Sequence, residues 1–167
     1  LEYKYAYRIV GHSGESAWFP LVEPGAPPRG RKERLDVVRA MSNHASYCMS
    51  GDNTLASSIR AISEVVKLEG DDYFVFVVSD ANLDSYGVSP SVLASVLTAN
   101  PLVHAFAIFI AHESSAEALR RRMPPGRAHL ALDTATLPNI FKTIFTKAVF
   151  APAAGVRARL VPKASKL

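Results

Sequence analysis

The sequence predicts an α/β fold: a mostly parallel sheet with helices on both faces and an antiparallel edge hairpin. Three observations carry this reading. Residues 73–78, YFVFVV, form a continuous apolar run that ends abruptly in Ser79-Asp80, and such a run reads as a strand buried on both faces. Residues 102–111 give a second run of the same kind. Segments with apolar residues at helical spacing separate and follow these runs, and strands alternating with helices imply parallel pairing.

Residues 3–10, YKYAYRIV, alternate aromatic with small or polar residues and read as a strand. Residues 11–16 turn the chain, and residues 17–22 form a second short strand, antiparallel to the first. A Pro/Gly loop over residues 24–30 follows. Residues 31–47 place Leu35, Val38, Met41 and Ala45 at helical spacing. Residues 54–69 are the next helix, with Leu55, Ile59, Ile62, Val65 and Val66 on one side. The central strand spans residues 71–80. A helix over residues 89–98 has Pro90 in its first turn, where the missing N–H costs nothing. The strand over residues 102–111 leads to a helix over 114–122, a short strand over 127–132 and a last helix over 136–150. Leu137, Ile140, Phe141, Ile144 and Phe145 form that helix's apolar face. The order is β-β-α-α-β-α-β-α-β-α, without an internal repeat. Residues 1–150 read as one domain, and 151–167, rich in Ala, Pro and Arg, as a flexible basic arm.

At 167 residues, with 49% hydrophobic and 20% charged residues, the chain is long enough to bury its own core. No apolar stretch reaches the roughly 18 residues of a membrane span. The net charge of +4 comes from basic residues scattered over 29–34, 120–122 and 157–166. No aromatic-basic motif accompanies them, so the reading is against specific nucleic-acid binding. The single Cys48 excludes an internal disulfide and a paired-cysteine metal knuckle; it reads as a packed small side chain. His44, four residues before it, could form a thiol pair with it, but no oxyanion-hole signature follows, and His44 reads as a polar-face residue. The five histidines lack ligand spacing for zinc. Opening on Leu1, the chain reads as a piece of something longer.

Six segments together resemble a von Willebrand factor A domain: IVGHSGE, RLDVVRAMSNHASYCMSGDNTL, YFVFVVSDANLDSYGVSP, HAFAIFIA, MPPGRAHLALDT and LPNIFKTIFT. More closely, they are similar to the C-terminal A domain of the large AAA-ATPase proteins that carry one. The resemblance covers roughly residues 7–148, and SGDNTL and SDANLDSYG are its specific parts. It implies a Rossmann-like sheet with a metal site, the MIDAS, built from three loops at the C-terminal edge. Thr54 matches the threonine that opens a helix, and Asp80 matches the aspartate at the end of the central strand. The DxSxS loop is absent from these residues, and the chain starts where the family's second strand would lie. The domain is therefore read as lacking its first strand. Another segment or chain would supply it, or this copy has lost it.

Thr54 and Asp80, with Ser79 as a third donor, could place oxygens around Mg²⁺ or Mn²⁺, an incomplete set for a cation that prefers six. The competing reading is local hydrogen bonding, in which Thr54 caps its helix and Asp80 accepts from the adjacent turn. Asp84, Tyr86 and Leu83, in the loop after Asp80, read as exposed contacts for a protein partner. Gly11-His12-Ser13-Gly14-Glu15 brushes against a G-x-S-x-G elbow, with Asp80 and His104, His112 or His129 completing a hydrolytic order. Ser13 is followed by strand-like residues rather than a helix, so a hairpin turn is the better reading. Arg120, Arg121 and Arg122 either complement a helix dipole or dock an acidic partner. No G-x-x-x-x-G-K-[ST] loop is present, so ATPase modules, if the resemblance holds, lie elsewhere in the parent protein. The leading expectation is a non-catalytic protein-interaction module; the alternative is a structural subunit of a larger assembly that binds no metal.

The chain closes in Ser165-Lys166-Leu167, the address read by the peroxisomal import receptor. Family resemblance alone points to the mitochondrion; the tripeptide, exposed on its arm, points to the peroxisome. A reporter ending in residues 156–167 is expected to enter peroxisomes, and deletion of Leu167 is expected to leave it in the cytosol. Fluorescence microscopy beside a peroxisomal marker reads the outcome, and cytosolic signal from both reporters restores the mitochondrial assignment.

Overall fold

The structure is a computed structural model, and it describes residues 5–47, 51–110 and 113–150. Cys48, His112 and the arm with Ser165, Lys166 and Leu167 lie outside the described residues. The elements follow the expected order: β1 (Ile9–Gly11), β2 (Phe19–Val22), α1 (Arg31–Tyr47), α2 (Thr54–Val65), β3 (Tyr73–Ser79), α3 (Pro90–Thr98), β4 (Val103–Phe109), α4 (Glu113–Arg121), β5 (Ala128–Leu130) and α5 (Leu137–Phe150). They fall into two compact units, Leu1–Leu132 and Asp133–Leu167. The second holds a short 3-10 turn over Thr134–Thr136 and α5. Asp133 caps that turn by accepting a hydrogen bond from the Ala135 N–H at 2.8 Å.

In the first unit β3, β4 and β5 pair in parallel, in the order β3-β4-β5. Seven residues of β3 match seven of β4, from Tyr73 opposite Val103 to Ser79 opposite Phe109. The period-two alternation then sorts the side chains. Val75, Val77, Val103, Ala105, Ala107, Phe109 and Ala128 meet Ile62 of α2, Leu93, Ala94 and Leu97 of α3, and Leu119 of α4 in one core. Ala105 and Ala107 leave room for the helices to approach the sheet. The alternate positions carry a ladder of rings, with Phe74 stacked on His104 at 5.1 Å and Phe76 on Phe106 at 5.8 Å.

β1 and β2 form a separate two-stranded antiparallel sheet, not joined by backbone hydrogen bonds to β3 among the described residues. The first strand begins at Ile9 rather than residue 3. Its partner strand gives out first: beyond Val22 come Glu23, which takes Arg8 in an ion pair at 3.0 Å, and Pro24, which has no N–H for a ladder. The second helix ends at Val65 rather than residue 69, because its last turn tightens: the Lys67 N–H donates to the Glu64 carbonyl and Leu68 to Val65, both at 3.2 Å.

The apolar face expected of α1 is turned outward. Leu35, Val38 and Met41 are 45%, 58% and 47% exposed. Val37, Ala40 and His44, a second set at helical spacing, are the half-buried ones. His44 stacks on Phe19 of β2 at 4.5 Å, with ring planes 6° apart, so it packs rather than lying on a polar face. Ile9 and Val78 are also exposed, and the edge of β3 away from β4 is unpaired among the described residues. An open strand edge beside uncovered apolar side chains invites association. The isolated chain is therefore expected to self-associate as its concentration rises in sedimentation velocity, and Leu35→Glu with Val38→Lys is expected to reduce the association. A monodisperse monomer with a cooperative melt would show that these surfaces need no cover.

Candidate functional site

The last rung of the parallel sheet is the Ile110 N–H donating to the Ser79 carbonyl at 2.8 Å. Asp80 is the next residue on that strand, so its exposed carboxylate leaves the C-terminal edge at a height fixed by the pairing of β3 with β4. Ala81 then takes φ 66°, the left-handed region that a residue with a Cβ enters at a cost of about 1–2 kcal/mol. Two side-chain turns hold it there. The Ser79 hydroxyl accepts from the Ala81 N–H at 3.2 Å, and an Asp80 carboxylate oxygen accepts from the Asn82 N–H at 3.1 Å. Strain of this kind collects at functional sites.

A second element reaches the same edge. Thr54 opens α2 and is fully buried, yet its hydroxyl finds no hydrogen-bond partner among the described residues. It does not cap its helix. The Thr54 N–H is instead taken by the Asp52 carboxylate, and the Asn53 side chain points away from the helix to donate to the carbonyls of Ser13 and Gly14 at 2.6 and 3.0 Å. Those bonds seat the turn after β1 against the start of α2. Gly51, at φ 91°, makes the approach possible, since a Cβ there would lie 3.0 Å from the Gly14 Cα.

Asn53 thereby ties the turn that carries His12 to the start of α2, and the charges of Asp52, His44 and Asp80 all bear on the His12 pKa. Asp52, Asn53 and His12 were missed as site residues in the sequence. The one signal available was the pair of glycines, Gly14 and Gly51, where two backbones pass closely. For a hard cation the fit is partial. Asp80 offers a carboxylate and Thr54 a buried hydroxyl with unused lone pairs, while Ser79 already accepts from Ala81. No three His, Cys, Asp or Glu side chains are grouped to hold an ion among the described residues.

The loop beyond Asp80 divides the expected contact residues. Asp84 and Tyr86 stand exposed in a 3-10 turn over Asp84–Tyr86. Leu83, expected to be exposed, is 0% exposed and belongs to the core. Its carbonyl accepts from the N–H groups of Tyr86 and Val88 at 3.1 and 3.0 Å, so the turn folds around it and it cannot touch a partner. The hydrolytic order is not assembled either. Ser13 sits in a tight turn, with its hydroxyl accepting from the Ser16 N–H at 3.2 Å, and β2 rather than a helix follows. His104 pairs with Phe74, six residues before Asp80 and so about 20 Å down the strand. His129 packs beside Phe106 in the ring ladder, with ring centroids 6.1 Å apart. Arg120 and Arg121 are both engaged by Glu117, which they hold at a pKa of about 2.

Compared with known proteins, the chain is 43% identical over 146 residues to mouse von Willebrand factor A domain-containing protein 8. The match covers 87% of the chain and 8% of that protein, so the chain spans about a twelfth of its relative's length. No family profile and no solved structure matches the chain.

Burial lowers the His12 pKa below its ordinary 6.5; Asp52 raises it, His44 lowers it and Asp80 raises it, and burial prevails. The folded state thus prefers neutral His12, and below pH 6.5 the unfolded chain binds the proton better. Its contribution to stability is present above that pH and is lost as the pH falls toward the lowered folded value. His12→Gln is expected to flatten the decline of the urea midpoint between about pH 7 and about pH 5; an unchanged decline would mean that His12 titrates alike in both states.

Proposed function

We propose that this chain, similar over 87% of its length to part of a von Willebrand factor A domain-containing protein, is a protein-interaction module of the A-domain type whose partner contact is assisted by a divalent cation. The observation that carries the reading is the buried Thr54 hydroxyl, without a hydrogen-bond partner among the described residues, at the start of the helix that leads into the strand ending beside the exposed Asp80. A buried hydroxyl left unsatisfied costs about 1–3 kcal/mol. A cation accepting its lone pair would remove that cost. Thr54 and Asp80 would hold Mg²⁺ or Mn²⁺, and the remaining positions would be filled by water, by an upstream DxSxS segment and by an acidic side chain of the partner. Asp84 and Tyr86, exposed beside Asp80, would meet that partner directly.

The DxSxS segment would also pair with β3. The open edge of that strand supports the same step, because an added strand would give it a neighbour. In this reading the parent is an AAA-ATPase-type protein, with nucleotide hydrolysis in other modules and this domain engaging the partner. The import receptor would meet the tripeptide Ser165-Lys166-Leu167. A second reading rests on the same open edge: the chain is a structural subunit completed by another chain, without metal.

Titration calorimetry separates the two. The chain alone is expected to bind Mg²⁺ or Mn²⁺ weakly or not at all. The parent protein with its DxSxS segment is expected to bind metal and partner together, and Asp80→Ala or Thr54→Val should abolish both. Partner capture that survives chelation and Asp80→Ala would establish the structural reading. Tight binding by the chain alone, lost in Asp80→Ala, would show that the upstream loop is unnecessary.

A further inference from the structure

The hairpin has two ends, and only one of them lies against the start of α2. His12 and Ser13 lie just past the end of β1. At the other end, the residues that lead into β1 and those that leave β2 enclose a cavity of about 470 Å³. Its walls include Tyr5, Tyr7, Pro27 and Pro28, and Arg29 and Arg34 are among the residues that line it. The tyrosine rings stack at 6.4 Å with planes 24° apart, and Tyr5 is 84% exposed.

Among the described residues that line this cavity, the charged side chains are both cationic. No carboxylate lines it, and neither Arg29 nor Arg34 makes an ion pair among the described residues. Glu33, the acidic residue of the RGRKER run, is turned to the main chain. Its carboxylate accepts from the N–H groups of Arg29 and Gly30, and those bonds hold its pKa below the ordinary value. Asp36 is taken by Lys32 and Arg39. The Arg29 charge also attracts Glu33 without forming an ion pair with it, so among the described residues two guanidinium groups stand beside a wall of aromatic and proline rings with no carboxylate bound to them.

We propose that this groove is a docking site for an acidic, extended peptide segment of a protein partner. Tyrosine and proline rings pack against extended chain, whose ordering costs little entropy. Guanidinium forks take carboxylates with two parallel hydrogen bonds, a geometry that a lysine cannot reproduce. The proline wall carries no N–H donors, so the arginines are the donors that meet the acidic side chains of the segment. The site lies at the opposite end of β1 from Asp80 and does not depend on a cation there.

The test uses the full chain at low concentration and a fluorescein-labelled peptide of alternating glutamate and proline, followed by fluorescence anisotropy. Binding is expected to weaken with added salt and to fall roughly tenfold or more in Arg29→Ala with Arg34→Ala, as the loss of charged hydrogen bonds requires. Both arginines are exposed, so the far-ultraviolet circular dichroism should not change. Tyr5→Ala should weaken binding without altering its salt dependence, and Asp80→Ala should leave it unaffected. The proposal is overturned if the peptide does not bind, if a glutamine-for-glutamate peptide binds equally well, if the arginine double variant retains affinity, or if oligouridine RNA binds more tightly than the peptide.

Discussion

The seven-residue parallel register of β3 on β4 is the constraint on which the rest of the structure depends. A slip of one residue would exchange the two faces of the strand. It would turn Phe74 and Phe76 into the space filled by Val75 and Val77, against Ile62, Leu93 and Leu97. The helices that close over the small Ala105 and Ala107 leave no volume for such an exchange. The register therefore fixes the last rung at Ser79, and with it the height of Asp80 above the sheet. Ala81, held at positive φ by the turns on either side, sets the direction in which the chain leaves.

The hairpin is held by weaker means. Asn53 binds two carbonyls of the turn after β1. Trp18, between the hairpin strands, lies under Arg60 of α2 at 4.4 Å and near Arg8 at 5.6 Å. Each such contact contributes on the order of 1 kcal/mol. A full backbone ladder between the two sheets would do more. The hairpin is thus positioned by polar ties at one end and by stacking along its side, with no strand between it and β3 among the described residues. This arrangement leaves the outer stripe of α1 exposed while the inner stripe packs.

The parts of the fold that were legible in the sequence are those whose signal is local. The apolar run ending at Ser79-Asp80 specified β3, and Pro90 marked the first turn of α3. The face of α1 was misread because the helix carries two stripes at the same period, Leu35-Val38-Met41 and Val37-Ala40-His44. Periodicity gives the spacing of a stripe but not which neighbour it will meet. Leu83 was misread because its sequence neighbours are polar, although the turn closes its carbonyl over two N–H groups and drives the side chain inward. His12 and Asp52, forty residues apart, come together only because Gly51 passes Gly14. No pattern along the chain reports that meeting.

The candidate site puts its unused bonding capacity at the place where the fold is strained. Thr54 is buried with its hydroxyl unsatisfied, Ala81 occupies a costly conformation, and His12 is held away from protonation by burial next to two carboxylates. The core does not require these features. Glycine at position 81 would relax the backbone. Their concentration near a rigid strand tip and a clamped helix start is what supports the proposal of a ligand there. Local bonding accounts for Asp80, whose carboxylate does accept from the adjacent turn. It does not account for Thr54, and on that residue the proposal of a cation rests.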